Sequence, residues 1–155
     1  MATFTWSSVI DVPFGRVWDF HSRVDGLQAL TPSWVGLTVE SVSIPGNKDG
    51  DILIPGAEIE LTATPFGIVP GGTWRSRITE RHEDDGSAMF QDIVVDGPLE
   101  DWTHTHYFTS LPYGTLIHDS VEYSLPVSAA SPLLHLPLAG YFAYRHRRTE
   151  RLLTL

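Results

Sequence analysis

The chain has 155 residues, a length that suits one domain able to bury a core of its own. It contains no cysteine, which excludes disulfides, thiolate metal sites and cysteine nucleophiles and favours a cytoplasmic protein. Acidic residues number 19 and basic residues 10, and the resulting formal net charge of −9 argues against general binding of nucleic acid or anionic membranes.

The first 30 residues predict a strand followed by one or two helices. Residues 3–12 alternate between apolar and polar side chains, the period of a β-strand. Pro13 suits the first position of a helix, and apolar residues recur at helical spacing as far as His21, so a helix is expected over 13–22. A second, shorter helix is expected over 24–30.

From residue 36 the pattern changes to strands. Clusters of glycine, proline, asparagine and aspartate separate six β-rich segments, and their short lengths imply hairpins and an antiparallel meander. The predicted strands are 36–44, 57–65, 73–83, 87–95, 101–110 and 114–125. The separators are Pro45-Gly46-Asn47, Gly71-Gly72, Asp84-Asp85-Gly86, Gly97-Pro98 and Pro112-Tyr113-Gly114.

The end of the chain predicts one long helix. Apolar residues at helical spacing place it at 138–153, with Pro137 at its start. It is the only predicted element long enough to cover a seven-stranded sheet, whose apolar face must be buried. We therefore expect one α+β domain over 1–155, in which a curved antiparallel sheet wraps around the last helix. A gap between such a sheet and helix is a natural ligand cavity.

Two other features bear on membranes. Residues 1–10 lack the basic and apolar regions of a signal peptide, so we expect no leader. Residues 123–144 carry no charge and are long enough to span a bilayer, but they contain three prolines, three serines and a histidine. We expect a buried loop that runs into a packed helix, and no stable membrane insertion.

Strand alternation indicates which side chains point towards the gap under the last helix. The aromatic and apolar content selects one face of each of three strands. These faces carry Ala88, Phe90, Asp92 and Val94 on 87–95, Trp102, His104, His106 and Phe108 on 101–110, and Thr115, Ile117, Asp119, Val121, Tyr123 and Leu125 on 114–125.

The predicted hairpins bring two carboxylates and two imidazoles together. The first sets Asp92 opposite His104 and Phe90 opposite His106, and the second places His106 beside Asp119. Opposed β-carbons lie about 4.5–5.5 Å apart, so the four polar residues form one cluster in an aromatic cavity. We expect each carboxylate to favour the charged imidazolium and burial to oppose it.

Several interpretations of this cluster compete. In one interpretation, its members satisfy one another's hydrogen-bonding groups and fix the strand register. In a second, they anchor the polar end of an amphipathic ligand. Alternatively they perform acid–base catalysis, in which a carboxylate holds an imidazole in one tautomer and tunes its pKa. The H-x-H pattern also places His104 and His106 on one side of a strand, where a carboxylate would supply a third metal ligand.

Eight segments carry a resemblance to a known family. They are 12–20 (VPFGRVWDF), 30–32 (LTP), 90–92 (FQD), 97–98 (GP), 102–108 (WTHTHYF), 114–115 (GT), 119–126 (DSVEYSLP) and 142–146 (FAYRH). Together they resemble the START / Bet v 1 / polyketide-cyclase superfamily, called SRPBCC. The likeness is greatest to bacterial cyclase/dehydrase-like or CoxG-like members. The resemblance implies the helix-grip fold.

The resemblance also implies three kinds of function. Members bind lipids, polyketides, sterols or hormones, so we expect a hydrophobic or aromatic small-molecule ligand. Some members catalyse cyclisation or dehydration, which would use His104 or His106 with Asp92 or Asp119. CoxG-like relatives imply an accessory subunit that assists another enzyme. The family is not a metal-binding one, so we expect no metal and no cofactor, and a monomer or homodimer.

Aromatic and charged side chains around the cluster complete the expected ligand site. Arg145 shares a helix face with Phe142 and is expected near the cavity mouth, where it would favour an anionic or polar-headed ligand. His21 and His135 are expected to be packing or surface residues, and the basic run over 145–148 with Arg151 a solvated face. The expected ligand residues are Trp18, Trp34, Trp74, Phe90, Asp92, Trp102, His104, His106, Phe108, Asp119, Phe142 and Arg145.

Overall fold

A computed structural model describes residues 1–46, 51–97, 99, 101–126 and 128–154. Within these residues, seven strands form one antiparallel sheet, and three α-helices accompany it. The strands are β1 (Ala2–Ile10), β2 (Leu37–Ser43), β3 (Glu58–Ala63), β4 (Thr73–Asp84), β5 (Ser87–Asp96), β6 (Asp101–Leu111) and β7 (Gly114–Ser124). The helices are α1 (Phe14–His21), α2 (Val24–Leu30) and α3 (His135–Leu153).

The strand order in the sheet is β1-β7-β6-β5-β4-β3-β2. From β2 to β7, each strand pairs with the strand that follows it in the chain. The last strand, β7, also pairs with β1, the first strand of the chain. The predicted meander and the predicted α+β fold are confirmed. Two of the predicted turns include Asn47 and Pro98, which lie outside the described residues.

The register expected from the hairpins is also confirmed. Asp92 pairs with His104 and Phe90 with His106 across β5 and β6, and His106 pairs with Asp119 across β6 and β7. The register between β4 and β5 shifts twice, and such bulges bend a strand and increase its twist. The sheet therefore curves next to the strand that carries Asp92.

The last helix begins earlier than predicted. It starts at His135, after a 3₁₀ segment at Ser128–Leu134, and Pro137 lies in its first turn, where the backbone amide needs no partner inside the helix. This stretch is buried only in part, because Leu133 in the 3₁₀ segment and Leu136 in the first turn of the helix are largely exposed. This differs from the buried loop expected for this stretch.

The inner face of α3 packs over the sheet. Its buried residues are Phe142, Arg145, His146 and Thr149, close to the helix face expected from the sequence. A larger apolar core lies under α1 and α2, and a smaller one around Phe4, Val121, Tyr123 and Phe142 lies under α3. Among the helices in the described part of the chain, none is both long enough and apolar enough to cross a bilayer.

A buried tyrosine ties the 3₁₀ segment to the sheet. The Tyr123 hydroxyl donates to the carbonyl of Ser131 over 2.5 Å, and its ring is fully buried. We expect Tyr123→Phe to lower the free energy of unfolding by about 1 kcal/mol, since the carbonyl loses its donor. Tyr113→Phe at an exposed turn is the matched control and should change stability by less than about 0.5 kcal/mol. Urea denaturation of both variants measures the difference, and equal losses would contradict the assignment.

Candidate functional site

A cavity of about 400 Å³ lies between the sheet and the helices α2 and α3. Apolar side chains of the sheet, of α2 and of α3 form most of its wall, and polar side chains of β5, β6 and α3 gather at one end. The lining residues are His21, Gly26, Leu27, Leu30, Thr31, Val35, Leu37, Leu53, Ile59, Leu61, Trp74, Ser76, Ile78, Phe90, Asp92, Val94, Leu99, Trp102, His104, His106, Leu138, Tyr141, Phe142 and Arg145.

The polar end of the cavity consists of Asp92, His104, His106 and Arg145. His104 Nδ1 and His106 Nε2 each lie 3.8 Å from Asp92 Oδ1. The other carboxylate oxygen of Asp92, Oδ2, accepts a hydrogen bond of 3.1 Å from Ser76. Asp92 and both histidines offer one ligand atom each within 4.8 Å of one another, so within the described part of the chain they form a group that could hold a metal ion.

Asp119 lies behind the two histidines and does not line the cavity. Its Oδ1 accepts a hydrogen bond of 2.8 Å from His104 Nε2, and His106 Nδ1 lies 2.7 Å from the same oxygen, outside the angle of a good hydrogen bond. Its Oδ2 contacts Nε2 of a third imidazole, His146, at 2.5 Å. One buried carboxylate therefore holds three imidazoles.

His146 is the member of this cluster that the sequence did not predict. The basic run on α3 was expected to face solvent, and that expectation is wrong for Arg145 and His146, which are both buried. The other expectation for Arg145 put it near the cavity mouth, and it lines the cavity. The helix turns these two residues towards the sheet beside Phe142, whereas Arg147 and Arg148 remain exposed. His146 Nδ1 forms a short hydrogen bond with the Ser8 hydroxyl on β1. The signal was a polar Ser8 on the otherwise apolar face of β1.

Burial and the three imidazoles act in opposite directions on Asp119. Burial alone would raise the pKa of its carboxyl group, but the charge of His106 and the close contacts of the three imidazoles with its oxygens outweigh burial and hold that pKa well below its usual range. For His106 burial dominates and lowers the pKa of the imidazole to about 3. Both effects expected from the sequence act on His106: Asp119 raises the pKa of the imidazole and burial lowers it, and burial is the larger effect.

The remaining charged groups at the polar end are shifted in other directions. Burial raises the pKa of Asp92, with a smaller opposing effect from His104. Burial would lower the pKa of Arg145, but the neighbouring oxygens of Tyr141, Asp119 and Asp92 raise it overall. The Arg145 guanidinium donates to the Tyr141 hydroxyl over 3.1 Å and lies 5.5 Å from the centre of that ring. Arg145 is thus a buried cation at the cavity wall.

The structure places eight of the twelve predicted ligand residues on the cavity wall and four elsewhere. Trp18 and Phe108 are buried away from it, because α1 packs its tryptophan against Phe90 and Phe108 with ring centres 6.1 and 5.6 Å apart. Asp119 is enclosed by imidazoles. Trp34 is 54 % exposed in a 3₁₀ turn, where it stacks on Phe66 outside the cavity. The eight on the wall are Trp74, Phe90, Asp92, Trp102, His104, His106, Phe142 and Arg145.

His21 is a cavity residue that was expected only to pack or lie at the surface. It closes the inner face of α1, is buried, and shares a hydrogen bond of 3.2 Å between its Nε2 and the Thr149 hydroxyl of α3. Burial lowers the pKa of His21 well below its ordinary value. The signal was its place on the apolar stripe of α1. His135 is exposed, as one of the two expected alternatives had it.

Comparison with known structures identifies the architecture. No family model and no curated protein matches the chain. A norcoclaurine synthase from Thalictrum flavum, solved with dopamine and hydroxybenzaldehyde, matches at a TM-score of 0.65 and 16 % identity over 97 % of this chain and 85 % of that one. Protein Ms6760 from Mycobacterium smegmatis matches at 0.67 and 21 % identity, over 98 % and 90 %. The chain shares the helix-grip fold of these structures.

A longer protein also contains this fold. The nucleoside-diphosphate sugar epimerase of Corynebacterium glutamicum matches at a TM-score of 0.64 and 26 % identity over 96 % of this chain. The chain spans only 28 % of the length of that enzyme. The fold predicted from the resemblance is confirmed by these neighbours, and the likeness to cyclase/dehydrase-like or CoxG-like members stays a prediction.

The shared carboxylate predicts a large stability loss on neutralisation. Asp119→Asn removes the charge and turns an amide N–H towards an imidazole N–H, so we expect the free energy of unfolding to fall by about 3 kcal/mol. Glu122→Gln, an exposed carboxylate on the same strand, is the control and should cost less than about 0.5 kcal/mol. Urea denaturation compares the two. A loss in Asp119→Asn no larger than in the control would show that the three imidazoles do not depend on this carboxylate.

Proposed function

We propose that the chain is one ligand-binding domain that holds a hydrophobic or aromatic small molecule with a polar head group. The observation that carries this proposal is the cavity of about 400 Å³, which is apolar over most of its wall and polar at one end. Cavities of about 300–1,000 Å³ with a few placed polar groups are typical of small-molecule sites.

The aromatic wall favours the ring system of such a ligand. Trp74, Phe90, Trp102, Tyr141 and Phe142 all line the cavity. Aromatic side chains stack on flat ligands and contribute about 0.5–1.5 kcal/mol for each pair beyond the area that they bury. An aromatic or polyketide-like ring would therefore gain more here than an aliphatic chain of equal size.

The polar end favours a ligand that carries an oxygen anion or another strong acceptor. Arg145 is buried, and within the described residues its guanidinium has a tyrosine hydroxyl as hydrogen-bond partner and no carboxylate at ion-pair distance. A guanidinium has five N–H donors in a fixed fork that matches a carboxylate or sulfonate. Its remaining donors are available to a head group that enters the cavity.

An acid–base enzyme is the second candidate, and one observation favours it. Asp92, His104 and His106 face the cavity and carry donor and acceptor atoms that form no hydrogen bond with one another. Asp119 would then be a positioning residue, since it contacts the imidazoles and not the cavity. A molecule identified by native mass spectrometry after purification would be the first substrate to test for turnover, and unchanged turnover in Asp92→Asn would contradict this candidate.

Two related probes test the head-group assignment. 1-Anilinonaphthalene-8-sulfonate carries an aromatic ring system and an anion, and N-phenyl-1-naphthylamine is its neutral counterpart. We expect one molecule of either probe to bind for each chain. Arg145→Met should weaken binding of the sulfonate about tenfold or more, since a hydrogen bond to a charged group contributes about 1.5–3 kcal/mol, and leave the neutral probe nearly unchanged.

Fluorescence titration of both probes measures these affinities. Arg147→Met, at the exposed arginine two residues along α3, is the matched control and should leave both affinities unchanged. Equal weakening of the sulfonate in the two variants would show that Arg145 does not receive the head group. Failure of either probe to saturate at one molecule for each chain would contradict binding in the cavity.

A further inference from the structure

We propose that Asp92, His104 and His106 form a binding site for one divalent transition-metal cation at the polar end of the cavity. The three residues come from the neighbouring strands β5 and β6, and Asp92 lies directly opposite His104. Two imidazoles and one carboxylate are a donor set that zinc, iron, cobalt and nickel accept. This inference goes beyond the proposed function, which needs no metal.

The spacing of the ligand atoms fits one cation. His104 Nδ1 and His106 Nε2 each lie 3.8 Å from Asp92 Oδ1, and one ligand atom from each residue lies within 4.8 Å of the other two. Metal bonds of about 2.1 Å at tetrahedral angles place ligand atoms about 3.4 Å apart. Each ligand pair that involves Asp92 would need to close by about 0.4 Å, and the imidazole pair, which lies within 4.8 Å, by at most about 1.4 Å.

Asp119 presents both imidazoles to this site in the required tautomers. The Asp119 carboxylate accepts a hydrogen bond from the N–H at His104 Nε2 and lies next to Nδ1 of His106. The protons on those nitrogens leave the lone pairs of His104 Nδ1 and His106 Nε2 directed towards Asp92. A carboxylate behind a metal-binding histidine is the common arrangement that fixes ring orientation and strengthens the ligand.

A purely structural role for the cluster leaves these inner atoms unexplained. Strand pairing uses backbone groups, and the Asp119 contacts use only the other nitrogen of each ring. Within the described residues, His104 Nδ1 and His106 Nε2 form no hydrogen bond, and Asp92 receives one only at Oδ2, from Ser76. Asp92 Oδ1, His104 Nδ1 and His106 Nε2 thus converge at the cavity wall without a hydrogen bond to one another, and a bound cation would give all three a partner.

Charge and access also favour a cation. Asp92 contributes one carboxylate to the polar end and Asp119 a second directly behind the histidines, whereas Arg145 contributes one guanidinium to the wall. Asp92 and both histidines line the cavity, so an ion can reach them through it. The remaining coordination positions of a bound ion would face the cavity and the head group of its ligand.

Cobalt(II) titration of the metal-free protein tests the site. We expect one Co²⁺ for each chain, with the visible absorption of a site of low coordination number. Asp92→Asn should weaken Co²⁺ binding more than about 100-fold, because even residues outside the ligand shell change metal affinity about 10–100-fold. His82→Gln removes an exposed histidine beside Glu80 and is the matched control, which should bind as the parent does.

Two outcomes would overturn the proposal: absence of stoichiometric binding, and binding that Asp92→Asn leaves intact. Loss of binding in His82→Gln would mark an adventitious surface site, which also overturns it. If Asp92→Asn fails to fold, paramagnetic shifts of the histidine ring resonances in the parent protein decide, and they should be largest for His104 and His106. The two naphthyl probes are titrated in the presence of a metal chelator. The binding of the probes therefore tests the proposed function separately from the metal site.

Discussion

The buried carboxylate of Asp119 is the constraint on which the candidate site depends. It lies on β7 and contacts two imidazoles from β6 and one from α3, so that a single side chain connects two strands to the last helix. Burial of a carboxylate is costly unless it is paired. The three imidazoles meet that need, and the position of α3 over the sheet follows from the same contacts.

The cavity and its chemistry follow from this arrangement. Because Asp119 engages one nitrogen of each β6 histidine, the other nitrogen of His104 and of His106 is turned to the cavity beside Asp92. The same helix turn that places His146 on Asp119 places Arg145 at the cavity wall. A polar end with both signs of charge is thereby built into a cavity whose other walls are apolar.

Much of the fold and part of the site could be predicted from the sequence, because strand alternation and short hairpins are local properties. They were enough to bring Asp92, His104, His106 and Asp119 together. Contacts that depend on how a helix docks were not predictable in this way, and His146 and His21 were missed for that reason. Trp34 was placed in the pocket on residue type alone, whereas a 3₁₀ turn carries it to the surface beside Phe66.

The tautomers of the two β6 histidines test the central claim most directly. In ¹⁵N-labelled protein, long-range nitrogen–proton correlation spectra distinguish a ring protonated at Nε2 from one protonated at Nδ1. If Asp119 holds both rings as described, His104 carries its proton on Nε2 and His106 carries its proton on Nδ1. The opposite tautomer at either ring would contradict the account, because the nitrogen that faces the cavity would then be a donor and not a free lone pair.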